Sequence, residues 1–372
     1  MSKQKVELLS PAGNLEKLKI AIKYGADAVY GGVSHFSLRI RASKEFTYET
    51  FKEAIDYAHE RGKKVYATIN GFPFNSQIEL LKTHIKKMAE LKPDAFIVAA
   101  PGVVRLCREI APQIDIHLST QANVLNYLDA QVFWDMGVKR IVVAREISLK
   151  DVMEIKKHLP DMEIEIFVHG SMCFAYSGRC LISAVQMGRV PNRGSCANDC
   201  RFEYTLYAGN DEHGSLFRLE EEPGVGTYIF NSKDMNLASH IQEILDSGAV
   251  DSLKIEGRTK SPYYAAVTAK AYREAIDDYY AGKFEPEKYQ KELHTTKNRG
   301  FTDAYLIHKP FEKTDSQNHD YALSKGSYEV TGLVTEDEHH FLCKYKVYPN
   351  EDIEIFTPHN TVLDTCENEI GK

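Results

Sequence analysis

The strictest constraint on the fold of this chain is a rhythm. Short apolar runs at 5–10, 27–32, 64–70, 95–99, 116–120, 140–144 and 163–168 alternate with stretches whose apolar residues recur at helical spacing, at 15–24, 47–61, 76–91, 102–110, 126–136 and 148–158. Asn14 stands where an N-cap belongs, and Gly25 and Gly62 follow helices as stops. Strands and helices alternating at this interval make parallel βαβ units. The strands are apolar almost throughout, so both faces of the sheet are covered. Seven such units favour a closed TIM-like (βα)8 barrel over an open sheet. The eighth unit comes late, as a strand at 252–257 and a helix at 262–280, with Ser261 as its cap and Pro262 in its first turn.

About eighty residues, 171–250, separate units seven and eight. They hold a cysteine-rich stretch, an expected hairpin at 203–228 with Gly224-Val225-Gly226 as a turn, and an expected helix at 237–247. An insertion after a barrel strand emerges at the C-terminal ends of the strands, where barrel enzymes keep their active sites. The barrel domain is therefore read as 1–281. Residues 282–324 read as an irregular linker. Period-two alternation at 328–334, 340–347 and 352–356 marks 325–372 as a small antiparallel β module. A module of that size barely sustains itself, so it should pack on the barrel or on a partner.

The formal net charge of −7 over 372 residues excludes a protein that is basic all over, though not a local nucleic-acid patch. Lys82–Lys87 and Lys297–Arg299 are modest basic groups, read first as solvated surface. The longest apolar runs fall well short of a membrane span, and the first residues lack an apolar signal core. The expectation is a cytoplasmic protein without membrane attachment.

Four of the seven cysteines, Cys173, Cys180, Cys196 and Cys200, crowd into one stretch, separated by six, fifteen and three residues. Cytosolic thiols stay reduced, so such a crowd points to metal ligation or catalysis before disulfides. Four thiolates can complete a zinc site or an iron–sulfur cluster. The Cys-x2-Cys pair usual in zinc knuckles is absent, and the wide, uneven spacing suits a larger inorganic core held from two loop arms. Arg179, Arg193 and Arg201 each lie beside a cysteine and would offset thiolate charge, while Gly178 and Gly194 allow backbone N–H groups near sulfur. Unliganded thiols remain the third reading.

Glu165-Ile166-Phe167-Val168-His169-Gly170-Ser171-Met172-Cys173, Gly178-Arg179-Cys180-Leu181-Ile182-Ser183, Asn192-Arg193-Gly194-Ser195-Cys196 and Cys200-Arg201 together resemble the signature of the collagenase-like peptidase family, unassigned family thirty-two. Asn298-Arg299-Gly300-Phe301-Thr302 also resembles it, and Asn192–Cys196 with Cys200-Arg201 resembles the branch that hydroxylates tRNA. That resemblance implies a 4Fe-4S cluster on Cys173, Cys180, Cys196 and Cys200. It implies oxygen-independent conversion of the wobble uridine of tRNA to 5-hydroxyuridine, with prephenate, a small dicarboxylate, as co-substrate and an electron-transfer partner of unknown identity. Related branches hydroxylate ribosomal RNA or a quinone precursor. Two other classes stay open, a collagenase-like peptidase and a non-catalytic RNA-binding scaffold. The peptidase reading lacks a His-Glu-x-x-His helix or a Gly-x-Ser-x-Gly elbow, and a cysteine that ligates iron is no nucleophile. Cys107, Cys343 and Cys366 read as ordinary buried or surface residues.

In a barrel, residues that end strands point into the mouth. Those positions hold Ser10, Asn70, Gln121, Asn123, Arg145, His169, Glu256 and Arg258. Arg145, Arg179 and Arg258 suit a carboxylate-bearing molecule, since a guanidinium binds carboxylate bidentately. Asn70 and Gln121 would join them around the base or the oxygen donor. His169 is a candidate general base and equally a satisfied structural histidine. Glu256 is the stronger catalytic candidate, with Lys254 and Arg258 as possible partners. The β module with Lys297 and Arg299 is the expected docking surface for the tRNA backbone.

Overall fold

A computed structural model describes residues 5–33, 36–38, 46–173, 175–202, 204–210, 214–219, 231–303, 305–310, 313–318, 326–328, 330–335 and 340–365. The expected Gly224–Gly226 turn, Cys366 and parts of the C-terminal module lie outside these residues.

Strands β1 (Glu7–Pro11), β2 (Ala28–Gly31), β3 (Lys64–Ile69), β4 (Ala95–Val98), β5 (Asp115–Leu118), β6 (Arg140–Val142) and β7 (Glu163–Ser171) pair in parallel in that order. Past a hairpin, β8 (Leu206–Asn210) with β9 (Ser215–Leu219), and a short strand β10 (Asp234–Asn236), the chain reaches β11 (Ser252–Ile255). This strand pairs in parallel with β7 on one side and β1 on the other, closing eight strands into the barrel. Helices α1 (Leu15–Lys23), α2 (Tyr48–His59), α3 (Ile78–Glu90), α4 (Pro101–Ile110), α5 (Tyr127–Asp135) and α6 (Leu149–His158) occupy the crossovers. The caps come from the local sequence: Asn14 accepts from Lys17 N–H at 3.0 Å, and Ser148 accepts from Asp151 N–H at 3.2 Å.

Two layers of core result from period-two alternation. Leu8, Ile164, Ile166 and Val168 join the large cluster between sheet and helices, while Leu9, Ala28, Tyr30, Tyr66, Ala95 and Ile97 form a separate cluster inside the barrel. Each fully buried leucine, isoleucine or valine among them contributes about 1.5–3 kcal/mol. The insertion also includes α7 (Ile182–Met187) and α8 (Ile241–Asp246); α9 (Pro262–Tyr280) then follows β11. β10 pairs antiparallel with the tip of β7, which runs longer than expected and leaves the barrel as an arm.

The stretch read as a linker is built into the fold. Helix α10 (Pro286–Leu293) buries Tyr289 and Leu293, an i,i+4 apolar pair that the surrounding charges disguise, and β12 (Phe301–Thr302) adds to β10. A short helix, α11 (Lys313–Ser316), follows. The C-terminal module is two separate hairpins, β13 (Gly332–Val334) with β14 (Phe341–Cys343) and β15 (Asp352–Phe356) with β16 (Thr361–Thr365). It packs on the barrel through Phe356, whose ring stacks on Tyr24 at 5.4 Å with Lys270 4.4 Å over it. No helix among the described residues is long and apolar enough to cross a membrane.

Candidate active site

The lower interior of the barrel is filled by charge. Arg140 donates to Glu7 at 2.5 Å, to Glu163 at 2.8 Å and to Glu165 at 3.1 Å; Lys254 donates to Glu165 at 2.7 Å. Tyr66 and Ser252 add hydroxyl bonds to Glu7 at 2.6 and 3.0 Å. Burial would push the Glu165 carboxyl up, but Lys254 and Arg140 outweigh it and hold it below the ordinary range. His117 lies against Tyr66 with ring centroids 4.5 Å apart and is kept neutral, first by burial and then by Arg140 and Lys254. Every charge in this network meets an opposite one, which makes it a structural plug.

Above it, the C-terminal ends of the strands are covered by two straps. The first is the segment 36–38. Arg258 donates to Ser37 Oγ at 2.7 Å, to Thr68 Oγ1 at 3.2 Å and to the Leu38 carbonyl, and Asn70 Oδ1 accepts from Leu38 N–H at 3.1 Å. Both expected substrate-binding residues thus hold the protein's own backbone. Glu256 is approached by the Tyr30 hydroxyl at 3.3 Å, whereas Lys254 turns to Glu165 instead.

The second strap carries the cysteines. Arg145 lies 3.9 Å over the Phe167 ring and donates to Ser177 Oγ at 2.7 Å. Asn123, in the left-handed conformation at φ 57°, donates to the Ser177 carbonyl at 3.2 Å and to the Gln121 carbonyl at 2.8 Å. Gly178, at φ 75°, packs on Gln121: a Cβ there would stand 3.1 Å from the Gln121 amide nitrogen, which is buried without a hydrogen-bond partner. On its far side the strap reaches the loop after β3, where Phe72 N–H donates to the Asn192 carbonyl at 3.4 Å and Arg193 donates to Gln77 at 3.3 Å. The segment therefore bridges the mouth from the β3 loop to the β6 loop, with Gln121 and Arg145 against Gly178 and Ser177, just ahead of Cys180 in the chain.

Cys173 is exposed; Cys180, Cys196 and Cys200 are half-buried, and none of the four is in a disulfide. Ala197 N–H donates to Ser183 Oγ at 3.1 Å, which ties the arm bearing Cys196 to α7 behind Cys180. Tyr204 lies close enough for burial first, then Asp199 and Cys200, to push its phenol up. Among the described residues no three His, Cys, Asp or Glu side chains are gathered as a group that could hold a metal ion. The donor chemistry fits a thiolate-held iron–sulfur group, with four cysteines outside disulfides on one segment, although the thiols are not drawn together. Arg179 is exposed on this strap.

Three expectations are corrected here. His169 does not line the mouth; its ring is enclosed by Tyr264, Tyr272 and Phe301 at 5.8, 5.6 and 5.5 Å, and burial lowers its pKa to about 3. An imidazole neutral at every physiological pH and packed among aromatic rings is a core residue. Ser10 shares the helix-facing side of β1 with Leu8 and is fully buried. Arg299 is buried in an ion pair with Asp234 at 2.6 Å, so it is closed to RNA. Cys107 is a buried thiol pushed up to about 12 by burial, as inert as expected.

A model of peptidase family U32 matches residues 13–316 of this chain. The chain belongs to peptidase family U32. Among other members, it is 67% identical to tRNA hydroxylation protein P of Helicobacter pylori over 99% of this chain and 87% of that one. It is 39% identical to tRNA hydroxylation protein P of Escherichia coli over 99% of this chain and 90% of that one. It is also 31% identical to a collagenase of Porphyromonas gingivalis, over 81% of this chain and 73% of that protein. The family match takes in the barrel from Gly13 on, the cysteine strap, and the segment through β12 and α11.

Proposed function

We propose that this U32 protein modifies RNA, hydroxylating the wobble uridine of tRNA to 5-hydroxyuridine, with Cys173, Cys180, Cys196 and Cys200 holding a 4Fe-4S cluster. The observation that carries the reading is the likeness, over nearly the whole chain, to two proteins named for tRNA hydroxylation. The strap supports it, since the segment that carries these four cysteines is bonded through Ser177 to the C-terminal end of the barrel, the end where barrel enzymes do their chemistry.

Replacing C5–H by C5–OH withdraws two electrons from the base. The reaction needs a donor of oxygen that also accepts those electrons, and prephenate is assigned that role. A bound cluster would supply one-electron redox capacity or a Lewis-acidic iron beside the substrate. The chain's own groups then have positional tasks. The Arg145 guanidinium, stacked on Phe167 and bonded to Ser177, is the fixed cation of the mouth and suits a carboxylate of the donor. The Gln121 amide nitrogen, buried and unpartnered, has a donor to offer a carbonyl or carboxylate. Glu256, held by Tyr30, is the carboxylate at the same end of the barrel that can take a proton.

The collagenase likeness keeps peptidase activity as the competing reading. Mass spectrometry of tRNA nucleosides separates the two. A strain lacking the gene should lose 5-hydroxyuridine and its derivatives and regain them with the wild-type gene but not with Cys180→Ala. Unchanged tRNA in the deletion strain, with gelatin cleavage by the purified protein, would reverse the assignment.

A further inference from the structure

With Arg299 buried, the expected RNA surface is reduced to Lys297 and the exposed side of the C-terminal module. Another surface has the right chemistry. Residues 172–202 contain four arginines and one aspartate, an excess of three positive charges before the negative charge of a thiolate-held cluster is counted, in a chain of net charge −7. The aspartate, Asp199, is buried, and the loop 72–77 on which the strap rests carries no charge. Arg179 is exposed and Arg189 half-buried, and neither meets a carboxylate among the described residues. Between these cations stand side chains that a folded protein normally hides. Leu181 is 71% and Val185 80% exposed, and the rings of Tyr176, Phe202 and Phe74 also reach solvent. Arg193 already lies 4.2 Å over the Phe74 ring, so one guanidinium–aromatic stack is preformed.

We infer that this outer face of the cysteine strap is the surface that receives RNA, and that it takes an unpaired loop rather than a duplex. The inference rests on the RNA-modifying function proposed above. Phosphates account for the unneutralised arginines, and unstacked bases account for exposed rings interleaved with them; duplex recognition would have no use for the rings. A second copy of this chain fits poorly, because an isologous contact would bring two copies of the same arginine-rich patch together. Placed here, the RNA lies directly on the segment that bears the thiols, so that docking and chemistry share one element.

Fluorescence anisotropy of full-length protein with an unmodified tRNA transcript over a salt series tests the inference. Wild type should bind with an affinity that falls as salt rises. Arg179→Gln and Arg189→Gln should each lower affinity severalfold and flatten the slope of log K against log salt by about 0.7–0.9. Phe74→Ala should lower affinity with little change of slope, as loss of stacking does. Lys297→Gln, on the formerly expected surface, should bind like wild type, and melting curves of all four variants identify any that fail to fold. Wild-type affinity in folded Arg179→Gln and Arg189→Gln, or self-association through this face in place of tRNA binding, would overturn the inference. Arginine-dependent binding by a protein whose deletion leaves 5-hydroxyuridine and its derivatives in tRNA unchanged would sustain this surface while removing the hydroxylase reading.

Discussion

At the N-terminal end of the strands, Arg140 and Lys254 are buried and matched to Glu7, Glu163 and Glu165 within 2.5–3.1 Å. At the C-terminal end, Arg179 and Arg189 meet no carboxylate among the described residues, and large apolar side chains face solvent beside them. The same residue type serves opposite purposes. A desolvated guanidinium is tolerable only when every carboxylate around it is in register, so the lower network has one arrangement and nothing left to offer a ligand. An exposed guanidinium costs little by itself and keeps its full charge for a partner. Satisfied polar groups mark the part of a barrel that holds shape, and unsatisfied ones mark the part that does work.

Breaking the lower network should have the largest effect. Arg140→Met leaves Glu165 and Glu7 facing one another with a single lysine between them, and should cost about 3–5 kcal/mol in urea unfolding. Cys180→Ala in metal-free protein should cost under about 1 kcal/mol, because that thiol is half-buried and supports little packing. Equal costs for the two would erase the distinction between the ends.

Acid should act more mildly, again through the buried interior. His169 and His117 have folded-state pKa values held below the ordinary histidine value, so the unfolded chain binds the extra protons. Their contribution is complete above about pH 6.5 and is lost as pH falls, for His169 down to about 3. By pH 5 the His169 share of that loss is about 2 kcal/mol, read as a lower urea midpoint than at pH 7.5. His169→Gln should flatten this dependence. Identical midpoints at both pH values would mean the imidazole is not enclosed as described.

Much of the barrel was legible because parallel strands buried on both faces leave a continuous apolar run, and the helices between them carry caps and periodic stripes. The internal plug leaves its own mark in the sequence. Glu7, Arg140, Glu165 and Lys254 interrupt apolar strands at alternate positions, and opposite charges on inward residues of neighbouring strands are the signal of a buried network. Helix α10 was missed because its two buried residues, Tyr289 and Leu293, sit among glutamate and lysine. The error over Arg299 has a different source, since its partner Asp234 is sixty-five residues away and only the pairing of β10 with β12 brings them together. The cysteines were found by composition. That Ser177 and Gly178 clamp them to the β5 and β6 loops could not be, because Asn123, Arg145 and Ser177 meet through closure of the barrel.

The most direct test of the division between the two ends is catalytic. Protein purified without oxygen should be incubated with prephenate and tRNA from the deletion strain, and 5-hydroxyuridine measured by mass spectrometry. Wild type should form the nucleoside and carry about four irons per chain, as four cysteine ligands imply, and Cys180→Ala should fail on both counts while remaining folded. Undiminished 5-hydroxyuridine from iron-free Cys180→Ala would contradict the assignment of the cysteine strap as the working end of the barrel.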